Sequence, residues 1–374
     1  MVVTNIYLDN VYAFKDFSLS FVYPKKLVNT PLDGEYFQDY PNFRYKKLNI
    51  LIGSNATGKT SLGKAIWHLC LFLNTKEAKP ILDLVCDKTK QTRIVFDYAV
   101  KGDGVCLNRA DIIVNPIKEK EEQKILMRFY SEKLLKTDSY ESARDRFNVN
   151  AEYKDYLECL TDVEFSGWNF NFPLTEANCD YVDCPFERGE QEDFKKILLP
   201  VLSTMDPSIK DVLISTEVDK TYIIVPENGD KFYVSHRAKL SSIEKLSSGT
   251  KYGFNIASTL YCIKKHLNGF YYIDEQFSYS NSEIEIAILN LMVSFLGDGE
   301  QLFFTSHNVE LLALNYPIHT FTFLRKTLID NENHIEAINA ASLEKRNNVN
   351  IKNLYDNDYF GVYPNLEKIF KLGE

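Results

Sequence analysis

Eight consecutive residues constrain this chain more than any others: Gly53-Ser54-Asn55-Ala56-Thr57-Gly58-Lys59-Thr60 follow the phosphate-binding pattern G-x-x-x-x-G-K-[ST]. An apolar run, Leu48 to Ile52, leads into them, and a segment with helical periodicity, Lys59 to Leu73, leads out. Strand, glycine loop and helix in that order predict backbone N–H groups turned inward around an anion. Gly53 and Gly58 permit the tight turn, Lys59 reaches terminal phosphates, and the Thr60 hydroxyl, with Ser61 beside it, suits a magnesium ion. A chance glycine-rich turn explains the order poorly, so a bound nucleoside triphosphate is the expectation.

Composition narrows the class. With 374 residues, 45% hydrophobic and 25% charged, the chain has an ordinary globular balance and material for one large domain or two. The net charge of −9 argues against an unassisted, sequence-independent grip on nucleic acid, while leaving room for a local basic groove. Seven cysteines and a start, Met1-Val2-Val3-Thr4-Asn5-Ile6, without a basic-then-apolar leader point to reduced thiols and the cytoplasm. Cys179 and Cys184 are the closest pair, but no second pair completes a zinc spacing. No run of apolar residues is long enough to span a membrane.

Along the chain, 2–8 and 16–22 read as strands, as do 92–100. Leu62, Ala65, Ile66, Leu69, Cys70 and Leu73 make a core stripe on the helix after the loop. From Lys118 a charged stretch reads as a solvated helix running towards Glu164, followed by an aromatic-studded segment, Phe165, Trp168, Phe170 and Phe172. The expected domains are a discontinuous head, 1–115 and 195–345, a mostly helical insertion, 116–194, and a C-terminal tail, 346–374. A helix over 192–202 precedes a hairpin, 221–225 and 231–236, turned at Asn228-Gly229.

Three later elements give the loop its context. Leu246-Ser247-Ser248-Gly249-Thr250 opens a helical segment, 251–265, and offers hydroxyl and backbone donors to an anion. Gly269-Phe270-Tyr271-Tyr272-Ile273-Asp274-Glu275 reads as a buried parallel strand ending in two carboxylates. Asp274 suits the magnesium shell, and Glu275 suits polarisation of the attacking water. Leu302-Phe303-Phe304-Thr305-Ser306-His307 repeats the design, with His307 placed to sense a terminal phosphate. A solvated strand end is the plain alternative for each.

In this order the motifs resemble the ABC-type ATPase heads of the SMC and OLD-like group: phosphate loop, signature, Walker B and switch histidine. The resemblance spans about two thirds of the chain. It implies an α/β P-loop NTPase fold: a mixed central sheet flanked by helices, an antiparallel β subdomain and the helical insertion. Within the group, Leu246 to Lys251 and Phe304-Thr305-Ser306-His307-Asn308 look most like the AAA-family ATPases of bacterial anti-phage systems, such as the ATPase component of PARIS. There, ATP with Mg2+ is held by Lys59, Thr60, Asp274, Glu275 and His307 of one chain, while Ser247, Ser248 and Gly249 of another complete the site. The implied partners are a homodimer, or a higher even-numbered oligomer, and a separately encoded effector such as a Toprim nuclease. The stretch after His307 carries no clustered acidic set, so no nuclease is expected in cis. A RecF-like DNA-repair clamp is the alternative. Ser248 and Thr250 depart from the usual signature, and Gln276 stands where many relatives have proline; the ring that stacks on adenine is Tyr12 or Phe14, and the Q-loop is unplaced.

Overall fold

The computed structural model describes the chain apart from residues 24, 26–31, 33, 118–122, 149, 174–187, 219–220, 236–247, 278–279, 330–331, 347–348, 364–369 and 374. The chain divides into two compact units, 1–168 with 298–374 and 169–297.

The first unit contains a mixed sheet in which Leu48–Ile52 lies between two parallel neighbours, Gln301–Ser306 and Phe321–Ile329. Every residue of Leu48–Ile52 and of Gln301–Ser306 is buried, as expected for parallel strands covered on both faces. Glu332–Asn339 closes this side as an antiparallel edge strand. The helix after the loop, Lys59–Thr75, buries the expected stripe of Leu62, Ala65, Ile66, Leu69, Cys70 and Leu73. It stops where Lys76 turns left-handed at φ 58° and returns its N–H to Phe72 O.

The same unit carries a six-stranded antiparallel sheet in the order Phe17–Ser20, Val2–Asp9, Thr92–Gly102, Gly104–Val114, Ile125–Lys133 and Lys154–Asp155. Gln301 joins the two sheets. Its amide oxygen accepts Val3 N at 2.9 Å, while its amide donates to Val3 O and Lys46 O. The two sheets therefore share polar contacts as well as apolar packing.

Here the structure corrects the helical reading of 116–194. Among its described residues, Ile125–Lys133 is a full strand, paired from Cys106↔Lys133 to Val114↔Ile125. Only the five-residue helices Tyr140–Arg144 and Tyr156–Leu160, and the start of Arg188–Met205, are helical. Charged residues of this sheet pair across its strands. Arg109 makes a bidentate pair with Asp97, 2.7 Å on each arm, and Asp97 also accepts Tyr140 Oη. Asp111 accepts one bond from Arg128 Nη2 and one from Tyr153 Oη. Buried charge of this kind survives only when fully paired.

The second unit contains the helix Arg188–Met205 and a meander of Ile209–Ile214, Thr221–Pro226 and Phe232–Ser235, with Gly229 at φ 81° in the expected turn. Next come the helix Ser248–Lys264, the strand Phe270–Asp274 beside Trp168–Asn171, and the helix Ser282–Phe295. Phe170 and Phe172 pack on this strand, with Phe170 5.4 Å from Phe270, so these aromatics belong to packing within the unit. Cys179 and Cys184 lie outside the described residues. No described helix is long and apolar enough to cross a membrane.

Candidate nucleotide site

The loop leaves its strand at Ile52, which stands opposite Ser306 in the parallel register. Gly53 and His307 therefore leave the sheet side by side. Gly53 has no room for a side chain: a Cβ there would sit 2.6 Å from Thr57 Oγ1 and 2.7 Å from Leu324 O. Thr57 is buried and donates to Ser54 O at 2.8 Å, tying the loop across itself. Ser54, Asn55 and Ala56 are exposed at its crest, and Ala56 holds a left-handed φ of 62°. A non-glycine residue in that region carries strain, which the surrounding loop has to impose.

Gly58 closes the turn at φ 100° and serves as N-cap without any side-chain cap bond, and the first turn has no acidic residue. The helix thus presents its backbone donors and the positive end of its dipole at the loop. Lys59, nearly fully buried, donates to Gly53 O at 2.8 Å and Ser54 O at 3.2 Å, and its Nζ lies 3.5 Å from His307 Nδ1. Thr60 and Ser61, in the first turn, are half-buried. The glycine loop, the helix start, the buried lysine and His307 therefore lie together.

Phe14 is fully buried, 4.6 Å from Phe17, and its ring stands 3.1 Å from the Cβ position of Gly58. It supports the loop from below. Tyr12, at φ 47° with its N–H on Leu84 O, is the member of the pair that keeps an exposed face.

In the second unit Asp274 ends its strand fully buried, and Glu275 follows half-exposed at φ 47°. Gln276 accounts for this corner: its Nε2 donates to Asp274 O at 3.1 Å, and its Oε1 accepts Asn255 Nδ2 at 3.4 Å. A proline side chain has neither group. Nothing in the sequence except the position of Gln276 after the acidic pair signalled its role. Ser247 lies outside the described residues, and Ser248 and Gly249 begin the helix Ser248–Lys264. Thr250, which stands at the last signature position, is buried and donates to Asp206 Oδ2 at 2.9 Å. Three residues on, Gly253 lets Leu202 approach, since a Cβ there would meet Leu202 Cδ2 at 2.8 Å.

No protein-family model matches the chain, and no curated protein does. Solved structures do. The chain is similar to an SMC head bound to the C-terminal winged-helix domain of ScpA, with 13% identity, a TM-score of 0.51, and 92% of this chain and 100% of that one covered. It is also similar to an SMC head with an extended coiled coil bound to the C-terminal domain of ScpA, derived from Pyrococcus furiosus. There the identity is 10%, the TM-score 0.50, and the coverage 91% and 97%. The fold is that of an SMC-type ABC ATPase head. The mixed sheet that carries the glycine loop and the separate antiparallel sheet are parts of that fold.

Proposed function

We propose that the chain binds and hydrolyses ATP, and that it does so as a dimer sharing two nucleotide sites. The observation that carries this reading is the cradle: a strained loop, an uncapped helix start and a buried lysine in contact with His307. In this reading the backbone N–H groups of 54–60 hold the β- and γ-phosphates, with Lys59 turning from the loop carbonyls to them. Thr60 and Asp274 are hard oxygen donors, which fits a magnesium ion, and the bound ion supplies neutralisation of the phosphate charge. Glu275, at a left-handed φ of 47° directly after the strand, orients the attacking water. His307 exchanges Lys59 for the terminal phosphate and so senses whether it is present. Ser247, Ser248 and Gly249 act on the nucleotide of the partner subunit.

At the level of biology, we propose a sensor or scaffold in an anti-phage system, with ATP-dependent assembly holding or releasing a separate effector such as a Toprim nuclease. The runs Leu246 to Lys251 and Phe304 to Asn308 support this reading. The experiment is phosphate release and fluorescent-ATP binding by wild type and Glu275→Gln. The variant should bind ATP normally and turn over slowly; turnover at the wild-type rate would remove Glu275 from the mechanism. For the effector, co-purification with the product of the neighbouring reading frame, lost in Lys59→Ala, is the expected result.

A further inference from the structure

Glu275 follows the strand Phe270–Asp274 at a left-handed φ of 47°, whereas His307, which follows the strand Gln301–Ser306, has no positive φ. A left-handed corner is therefore not the default at the end of these strands. A non-glycine residue keeps that conformation only where its surroundings impose it.

The next side chain supplies the restraint. Gln276 is 1% exposed and uses both ends of its amide. Its Nε2 donates to Asp274 O at 3.1 Å, which fixes the peptide plane joining Asp274 to Glu275, the plane from which the Glu275 φ is turned. Its Oε1 accepts Asn255 Nδ2 at 3.4 Å. That bond is long, and its effect is orientational. Because Asn255 presents a donor, the oxygen end of the Gln276 amide turns towards it, and the nitrogen end is left for Asp274 O. Asn255 is buried in the helix Ser248–Lys264, where its carbonyl accepts Thr259 Oγ1 at 2.9 Å, and that hydroxyl accepts Asn171 Nδ2. All of these residues belong to the second unit. An apolar side chain of equal volume would fill the space of Gln276, but it has no donor for Asp274 O and no acceptor for Asn255.

We propose that Gln276, oriented by Asn255, is a positioning residue for ATP hydrolysis: it holds the corner at Glu275 and so sets where the Glu275 carboxylate stands. The inference rests on the role given to Glu275 above. Gln276 acts through Glu275 and not on the nucleotide, so its loss slows turnover and spares ATP binding.

Phosphate release and fluorescent-ATP binding of the full chain are compared for wild type, Gln276→Met, Asn255→Leu and Asn171→Leu, and for Gln276→Met added to Glu275→Gln. Gln276→Met keeps an unbranched side chain of similar size and loses both polar ends. Its kcat should fall about tenfold or more, with ATP affinity within about twofold of wild type. Asn255→Leu should lower kcat about threefold or more, because the glutamine loses its orienting partner, and it decides the matter if Gln276→Met does not fold. Asn171→Leu removes an amide of the same unit that does not bond to Gln276, and kcat should stay within about twofold of wild type. In the Glu275→Gln background, Gln276→Met should change the residual rate by no more than about twofold, since nothing remains to be positioned. A wild type that releases no phosphate overturns this inference together with the ATPase reading. With wild-type turnover established, the positioning role alone is overturned by an unchanged kcat in Gln276→Met, by an equal loss in Asn171→Leu, or by a fall in the Glu275→Gln background as large as in wild type.

Discussion

In the strands Leu48–Ile52 and Gln301–Ser306 every residue is buried, and the side chains are mostly apolar. In the antiparallel sheet of the same unit, burial extends to Asp97 and Asp111, each held by an arginine and a tyrosine. Burial opposes charge on Arg109, but its bonds to Asp97 hold its pKa well above the ordinary value. The first region carries its candidate functional residues at its strand ends. The second holds its buried carboxylates in ion pairs across its strands. Polar groups that close their hydrogen bonds internally are structural, whereas those aimed at a strand end or a cavity are arranged for a ligand.

That contrast predicts opposite outcomes for substitutions in the two regions. The largest effect on function belongs to Lys59→Ala, which should weaken ATP binding about 100-fold or more while leaving the melting temperature nearly unchanged. The largest effect on stability belongs to Asp97→Ala. It strands the Arg109 charge and should cost about 3–5 kcal/mol in chemical denaturation, with ATP affinity of the native protein intact. Loss of nucleotide binding in the second variant, or of folding in the first, would break the distinction.

A smaller effect tests buried charge where the two sheets meet. Lys46 is buried with its amine on Ser20 O, and burial lowers its pKa from 10.5 to about 8. The unfolded chain therefore binds more protons between those values, so stability should rise with pH through that window. The gain is on the order of 2 kcal/mol between pH 8 and 10, and Lys46→Met should flatten it. Smallest is Glu275→Gly. Relief of the left-handed backbone should raise stability by about 1 kcal/mol while hydrolysis is lost. A loss of stability instead would show that the Glu275 side chain is structural.

The same contrast explains what the sequence disclosed. Parallel buried strands read as apolar runs, so Leu48–Ile52, Phe270–Asp274 and Gln301–Ser306 were legible, as was the helix stripe from Leu62 to Leu73. Ile125–Lys133 was not, because the charged run from Lys118 to Lys124 just before it reads as the start of a solvated helix. Among the candidate residues, the glycine pattern and the acidic pair were visible because each is local in the sequence. The support of the loop by Phe14, and the corner made by Gln276 with Asn255, depend on partners distant in the chain.

In the proposed dimer each chain supplies half of each nucleotide site. The direct measurement is the mass of Glu275→Gln in solution, by light scattering, with and without ATP and magnesium. Shared sites predict a monomer without nucleotide and a dimer, or higher even-numbered oligomer, with it, and no such shift when Lys59→Ala is added. A monomer under both conditions, in protein shown to have ATP bound, would contradict it.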